Sequence, residues 1–437
     1  LKQLQSHPIK IVCQRADRLG DMALCLPAIY ALKAEFPLAD IHMICSPKNE
    51  QLVRMIPIIS KHLSIDIDRC STQEKRQFKQ QLRNENYTIM INFWGHSFFE
   101  QLVSFLNPSV SIGPITGMRS SWVYSHPVAL PWSHVFHHET DYNLMLVAPL
   151  RVVGSPSLSL PCSIKKEDKS GKTVLIFCSA GDSNLALSDR MIQALVERIL
   201  DMPSYRVVLT YGSISENSEL LTLTGPSIIN KTQPLSLDAL VACIQQADVY
   251  IGPDTGPSHL AALFNKPAVV VFRNHQNLPI RWGPQSDQFR CIRSRFVGEA
   301  GESIDVDAIV DAMIAIQTEA PWTHTQKRYH HCQTSLRLCV EITNTVADRH
   351  AIARMRAQGW VVVPHIRRPG IKQWIRLKRK ISQRQVNVFV APKKSWWHYC
   401  LAYYFHVQCK PTPVIVHPDA FDSLIQSNIQ PFNASEC

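Results

Sequence analysis

Residues 247–260, Ala-Asp-Val-Tyr-Ile-Gly-Pro-Asp-Thr-Gly-Pro-Ser-His-Leu, constrain the fold of this chain more than any other stretch. Val249, Tyr250 and Ile251 read as a short buried strand, which Gly252 and Pro253 should stop. Asp254, Thr255 and Gly256 then form a turn, Pro257 suits the first position of a helix, and Ser258 to Leu263 continue it. A strand that passes through a glycine-bearing loop into a helix start aims free backbone N–H groups and the positive end of a helix dipole at one spot, where a phosphate can sit. Thr255 adds a hydroxyl there and His259 an imidazole. An ordinary strand-to-helix connection capped by Asp254 or Thr255 would use the same residues.

The N-terminal half shows the same alternation. Residues 9–13 are an apolar strand, 15–21 a polar loop with Gly20 near its end, 22–36 a helix whose start the pattern places near Pro27, and 41–45 the next strand. Such a βαβ unit predicts a parallel sheet. Asp21 follows a glycine at the carboxyl end of the first strand, the edge where open α/β sheets bind ligands. A carboxylate there can take a proton from a substrate hydroxyl, or it can cap the helix. Further strands are expected at 87–93 and 109–113, with a helix from His96 and Ser97 to Leu106 between them. His137 and His138 precede a helical run over about 141–152.

Residues 154–172, rich in Ser, Pro and Lys, read as an exposed connection, after which the pattern restarts. Strands are expected at 174–177, 206–211 and 268–272, helices at about 188–200, 236–246 and 305–318, and a turn at Arg281-Trp282-Gly283-Pro284. The two halves thus read as nucleotide-binding-like domains facing a cleft. A net charge of +11 points to an acidic partner: nucleic acid, anionic lipid or a phosphorylated sugar. The thirteen cysteines form no paired CxxC motif, which argues against zinc and fits reduced thiols in the cytoplasm. No run is long enough to span a bilayer, and residues 1–8 lack the apolar core of a signal peptide.

Four segments, in this order and spacing, resemble glycosyltransferase family 9, the ADP-heptose:lipopolysaccharide heptosyltransferases. They are residues 15–33 with the Arg-x-x-x-x-Gly-Asp loop, residues 138–144 with His138 and Asn143-Leu144, residues 252–262 with Asp254-Thr255-Gly256, and residues 281–284. The resemblance covers roughly residues 8–320. It implies an α/β chain of two Rossmann-like domains facing a cleft (GT-B type), at 8–155 on the acceptor side and 170–320 on the nucleotide-sugar donor side. It further implies transfer of heptose from ADP-heptose onto a lipopolysaccharide core acceptor, inverting and metal-independent, with Asp21 as general base. By the same resemblance Asp254, Thr255, Gly256, Ser258, His259, Ser179 and Gly181 contact the donor, and Arg15, Arg18, Gly20, His96 and Arg119 lie on the acceptor side. No metal or cofactor beyond the donor substrate is implied. The expected partners are a nucleotide sugar, a lipid-linked oligosaccharide and an anionic membrane surface, met peripherally at the inner face of the inner membrane; no nucleic acid is expected. One departure stands out: many members carry a Lys and a nearby Trp-Pro after the first strand of the second half, and residues 178–188 contain neither. Lys266 and Arg273 are the cations nearby in sequence. The alternative reading is therefore an altered-donor or non-catalytic sugar-nucleotide-binding protein of the same fold.

From about residue 325 the resemblance ends. Short strands are expected within 336–345, 360–363, 386–390 and 413–416, making 330–437 a small C-terminal α/β addition. A basic run around Trp374 and aromatic residues from Trp396 to Phe405 suit an anionic membrane surface, as expected here, but equally nucleic acid or a solvated basic helix over an aromatic core.

Overall fold

The computed structural model of the chain describes residues 8–130, 137–155, 158–161, 171–180, 186–213, 215–216, 218–273, 277–286, 288–293 and 304–321, together with the backbone of 295–296, 302–303, 337–342, 361–366, 388–390 and 414–416. The first half runs β1 (Lys10–Gln14), α1 (Leu19–Glu35), β2 (Asp40–Cys45), α2 (Glu50–Arg54), β3 (Lys61–Ser64), α3 (Thr72–Arg83), β4 (Ile89–Asn92), α4 (Ser97–Leu106), β5 (Val110–Pro114), α5 (Ser120–Val123), β6 (His126–Val128) and α6 (Glu139–Val147). The second half runs β7 (Lys172–Phe177), α7 (Asp189–Leu200), β8 (Tyr205–Thr210), β9 (Ile228–Asn230), α8 (Leu237–Gln246), β10 (Val249–Pro253), α9 (Gly256–Leu263), β11 (Ala268–Phe272), α10 (Pro279–Trp282) and β12 (Phe289–Arg293). A short antiparallel pair, β13 (Arg295–Phe296) and β14 (Glu302–Ser303), and α11 (Val306–Thr318) close it.

Each half is a six-stranded parallel sheet, ordered β3-β2-β1-β4-β5-β6 and β9-β8-β7-β10-β11-β12. Counted from its own first strand, each sheet has the order 3-2-1-4-5-6. The central strands are apolar on both faces, as a parallel sheet covered by helices on both sides requires: Ile11, Val12 and Cys13 of β1 and Val249, Tyr250 and Ile251 of β10 are fully buried. In each sheet the strand order reverses beside the first strand, between β1 and β4 and between β7 and β10, the kind of carboxyl-end crevice in which open α/β sheets hold ligands. One apolar core runs from the first sheet through α1 and α6 to α9 and the second sheet, so the two crevices face each other. Beyond residue 330 the backbone forms a third parallel sheet from β15 (Arg337–Ile342), β16 (Val361–Ile366), β17 (Val388–Val390) and β18 (Val414–Val416), ordered β16-β15-β17-β18. The basic run around Trp374 and the 396–405 aromatics lie outside the described residues. Among the described residues no helix is long and apolar enough to cross a membrane, and the seven cysteines whose side chains are described are free thiols.

Two local expectations are corrected. The first helix starts at Leu19, not near Pro27, and carries Pro27 inside it. Met22 to Ile29 are all buried, and packing on this scale outweighs the lost hydrogen bond and clash of an internal proline, about 3 kcal/mol. Asp21 therefore lies in the first turn, and Arg18, not Asp21, is the N-cap. Likewise β10 does not stop at Gly252; it continues through Pro253, in register with Val270 and Val271 of β11, and the Asp254 N–H donates to the Val271 carbonyl at 3.2 Å.

Candidate functional site

The two sheet edges enclose an open cavity of about 730 Å³, large enough for a nucleotide sugar. Its floor is made by two helix starts that touch. α1 brings Leu19, Gly20 and Asp21; α9 brings Gly256 and His259, preceded by Thr255. A Cβ on Gly20 would lie 2.8 Å from His259 Cδ2, and one on Gly256 would lie 2.8 Å from Leu19 Cδ2 and 3.0 Å from Leu19 Cβ. Only glycine at both places lets the ends approach this closely. Neither N-cap residue, Arg18 nor Thr255, bonds its helix through its side chain. In α9 the Gly256 N–H is thereby left for an anion, since Pro257 has no N–H and the Ser258 N–H donates to the Thr255 carbonyl at 3.0 Å, and two positive dipole ends add to it.

Asp21 is oriented from beneath. Arg15 is buried, and its Nη2 donates to Asp21 Oδ1 at 2.7 Å. The same guanidinium donates from Nε to Asp17 (3.0 Å) and from Nη1 to the Phe93 carbonyl (3.0 Å). Both of its terminal nitrogens reach Glu139 Oε1 at 3.3 Å. This fork needs the planar five-donor geometry of arginine. Asp21 Oδ2 has no hydrogen-bond partner among the described residues, so one oxygen is fixed and the other is available. Burial pushes the Asp17 carboxyl up to about 6, with Arg15 opposing and the charge of Asp21 adding.

Glu139 links the two halves. Its Oε2 accepts from Arg281 Nη2 (3.1 Å) and Nε (3.3 Å), and Arg281 lies over the rings of Tyr142 and Trp282. His138, the N-cap of α6, contacts the Gly283 carbonyl through Nε2 at 2.8 Å. The 281–284 tetrapeptide is thus the point where the second half grips α6.

On the donor side, burial pushes Asp254 up to about 7, with Asn277 donating to it at 3.1 Å and opposing the shift. Burial holds His259 down at about 4, so its imidazole is neutral at neutral pH; its buried Nδ1 has no hydrogen-bond partner among the described residues. Ser179 lines the cavity, but its hydroxyl is engaged: it donates to the Ser213 carbonyl at 2.5 Å and accepts from the Gly212 and Ser213 N–H groups at 3.0 and 3.2 Å. It shapes the loop after β8 and has little left to offer a ligand.

Several expected positions fall elsewhere. Ser258 is fully buried and donates back to the Thr255 carbonyl at 2.7 Å, so it does not line the cavity. Arg15 lies behind Asp21 and not on the cavity wall, whereas Arg18 and Gly20 do line it. His96 caps α4, accepting from the Phe98 N–H at 3.2 Å, and Arg119 is exposed 3.9 Å from Glu100; neither lines the cavity. Gly181 lies outside the described residues. Lys266 donates to the Gln245 carbonyl at 2.6 Å and Arg273 to the Ala186 carbonyl, so both are tied into the second half away from the cavity wall. Missed by sequence reasoning were Asp17, Lys48, Trp94, Asn277 and Trp282, which do line it. Lys48 was findable: it follows β2 on the same carboxyl edge as Asp21. Among the described residues no group of three His, Cys, Asp or Glu side chains is placed to hold a metal ion.

The model of glycosyltransferase family 9 (heptosyltransferase) matches residues 75–303. Lipopolysaccharide heptosyltransferase 3 of Escherichia coli is 25% identical over 292 residues, 61% of this chain and 84% of that protein. The structure of E. coli heptosyltransferase WaaC with ADP superposes with a TM-score of 0.55 at 15% identity, covering 70% of this chain and 100% of that one. The family 9 glycosyltransferase of Veillonella parvula gives a TM-score of 0.60 at 15% identity, covering 72% and 99%.

Proposed function

This chain belongs to glycosyltransferase family 9, the heptosyltransferases, and on that premise we propose that it moves heptose from ADP-heptose onto a hydroxyl of a lipopolysaccharide core acceptor, with inversion, without a metal ion, and with Asp21 as general base. One observation carries the reading: a carboxylate held by Arg15 at 2.7 Å stands in the cleft beside the open N-terminus of α9. The acceptor oxygen attacks the anomeric carbon and its proton passes to Asp21. The bond from that carbon to the diphosphate breaks, and its electron pair leaves with the nucleoside diphosphate. A single displacement of this kind inverts the anomeric centre. The Gly256 N–H and the α9 dipole meet the growing charge on the leaving group. The similar structure of WaaC with ADP supports the choice of nucleotide.

A positioned general base contributes about 10²–10⁴-fold. Asp21→Asn should lower kcat by that factor on a truncated lipopolysaccharide while stabilisation by ADP in thermal unfolding is unchanged; a loss under about tenfold would remove Asp21 from the role. A second reading, an altered donor, is favoured by the lack of Lys or Arg on the second half's described wall of the cavity. Matched titrations with ADP, UDP, GDP and CMP decide between them: selective stabilisation by ADP supports the first reading, and selective stabilisation by another nucleotide supports the second. Residues 330–437 are proposed to hold the enzyme peripherally at the inner face of the inner membrane. Unchanged binding to anionic liposomes after their deletion would reject that anchor.

A further inference from the structure

We propose that Lys48 is the cation that binds the donor's diphosphate, reaching it across the cleft from the first half. The assignment rests on the nucleotide-sugar reading above and adds a residue to it. A diphosphate at the start of α9 carries more negative charge than a helix end, worth about half an elementary charge, can balance. The described second-half wall, which includes Ser179, Gly212, Gly256 and His259, holds no Lys or Arg, and His259 is neutral. Lys266 and Arg273 are occupied by backbone carbonyls away from that wall. The balancing charge therefore comes from the opposite side, where Arg18 and Lys48 line the cavity.

Lys48 fits the task on two counts. Its side chain is exposed in the cavity, and its ammonium has no hydrogen bond or ion pair among the described residues. Its backbone is anchored: Asn49 is fully buried, accepts from the Ser46 N–H at 2.9 Å, and donates to the Arg15 carbonyl at 3.0 Å and the Arg18 carbonyl at 3.4 Å. The Ser46 hydroxyl donates to the Asp17 carbonyl at 2.8 Å. A mobile point charge on a fixed base suits phosphate binding. The same bonds tie this loop to residues 15–18, which lead directly into Asp21. Engagement of the diphosphate by Lys48 would draw the first half, with its base, toward the donor's anomeric carbon.

The test is a titration of wild type, Lys48→Gln and Lys48→Arg with ADP and with adenosine, read by thermal unfolding. Lys48→Gln should weaken ADP binding about tenfold or more, the loss expected for one charge-assisted bond, while leaving adenosine binding and the ligand-free melting temperature unchanged; Lys48→Arg should recover most of it. Equal ADP affinity in wild type and Lys48→Gln overturns the proposal and leaves the donor reading standing. If that equality comes with a raised KM for a phosphorylated acceptor alone, Lys48 serves an acceptor phosphate, and the donor assignment is likewise overturned. If wild type responds to another nucleoside diphosphate instead of ADP, the ADP reading fails, and equal affinity of wild type and Lys48→Gln for that nucleotide overturns the proposal. Wild type unresponsive to every nucleoside diphosphate overturns both.

Discussion

Replacing Arg15 with Gln removes one cation from beneath three carboxylates. Arg15 is 4% exposed and reaches Asp17 at 3.0 Å, Asp21 at 2.7 Å and Glu139 at 3.3 Å. Breaking a buried pair by deleting one partner costs about 3–5 kcal/mol. The lower end applies, because Glu139 keeps Arg281 at 3.1 Å and the Asp17 and Asp21 side chains retain 16% and 15% exposure. About 3 kcal/mol is therefore expected at pH 8. The loss has a defined pH dependence. Asp17 stands at about 6 with Arg15 present, against about 3.9 in the unfolded chain, and loss of the opposing cation moves it further up. A carboxyl raised in the folded state binds more protons folded than unfolded, so its contribution falls as pH rises from about 4 through the folded value. Below about pH 6 Asp17 is protonated in both proteins and adds no difference; above it the variant alone resists ionisation, and the gap widens. Urea midpoints of both proteins at pH 5.5 and pH 8 measure this directly. A loss of the same size at both pH values would refute the electrostatic account and leave Arg15 as a packing residue.

Gly256→Ala places a methyl 2.8 Å from Leu19 Cδ2 and should cost about 1–3 kcal/mol for the clash. Turnover should fall more than the melting temperature, and Leu19→Ala in the same chain should restore much of both. Arg281→Met leaves Glu139 to Arg15 alone and removes the cation from over Tyr142, so limited proteolysis between the halves should accelerate while far-ultraviolet circular dichroism is unchanged. His259 is held at about 4 by burial, against about 6.5 unfolded, so the unfolded chain binds the extra proton and stability drops as pH falls through this window. His259→Asn should flatten that acid limb; an identical decline between pH 7 and pH 5 would assign it to other groups.

The chain's periodic features were legible without coordinates because they depend on neighbours in sequence. Strands buried on both faces must be apolar runs, so β1, β7, β10 and β11 announce themselves, and Pro257 with the preceding Asp-Thr-Gly marks the start of α9. Asp21 could be placed at the ligand edge because the carboxyl end of a first parallel strand is where such sheets bind. What the tertiary structure alone decided joins residues far apart in the chain. Whether Pro27 ends or sits inside α1 depended on the burial of Met22 to Ile29 against other elements. Whether Ser258 faces a ligand or its own helix depended on rotation about the α9 axis, and only the packed helix shows that it turns inward. Arg15, expected on the acceptor side, takes its place behind Asp21 only when Glu139 and Phe93 are brought beneath the loop that carries it. Gly20 and Gly256 acquire their meaning only when His259 and Leu19 press against them across the cleft, since the need for a missing Cβ is set by the opposing side chain and not by the glycine's own neighbours.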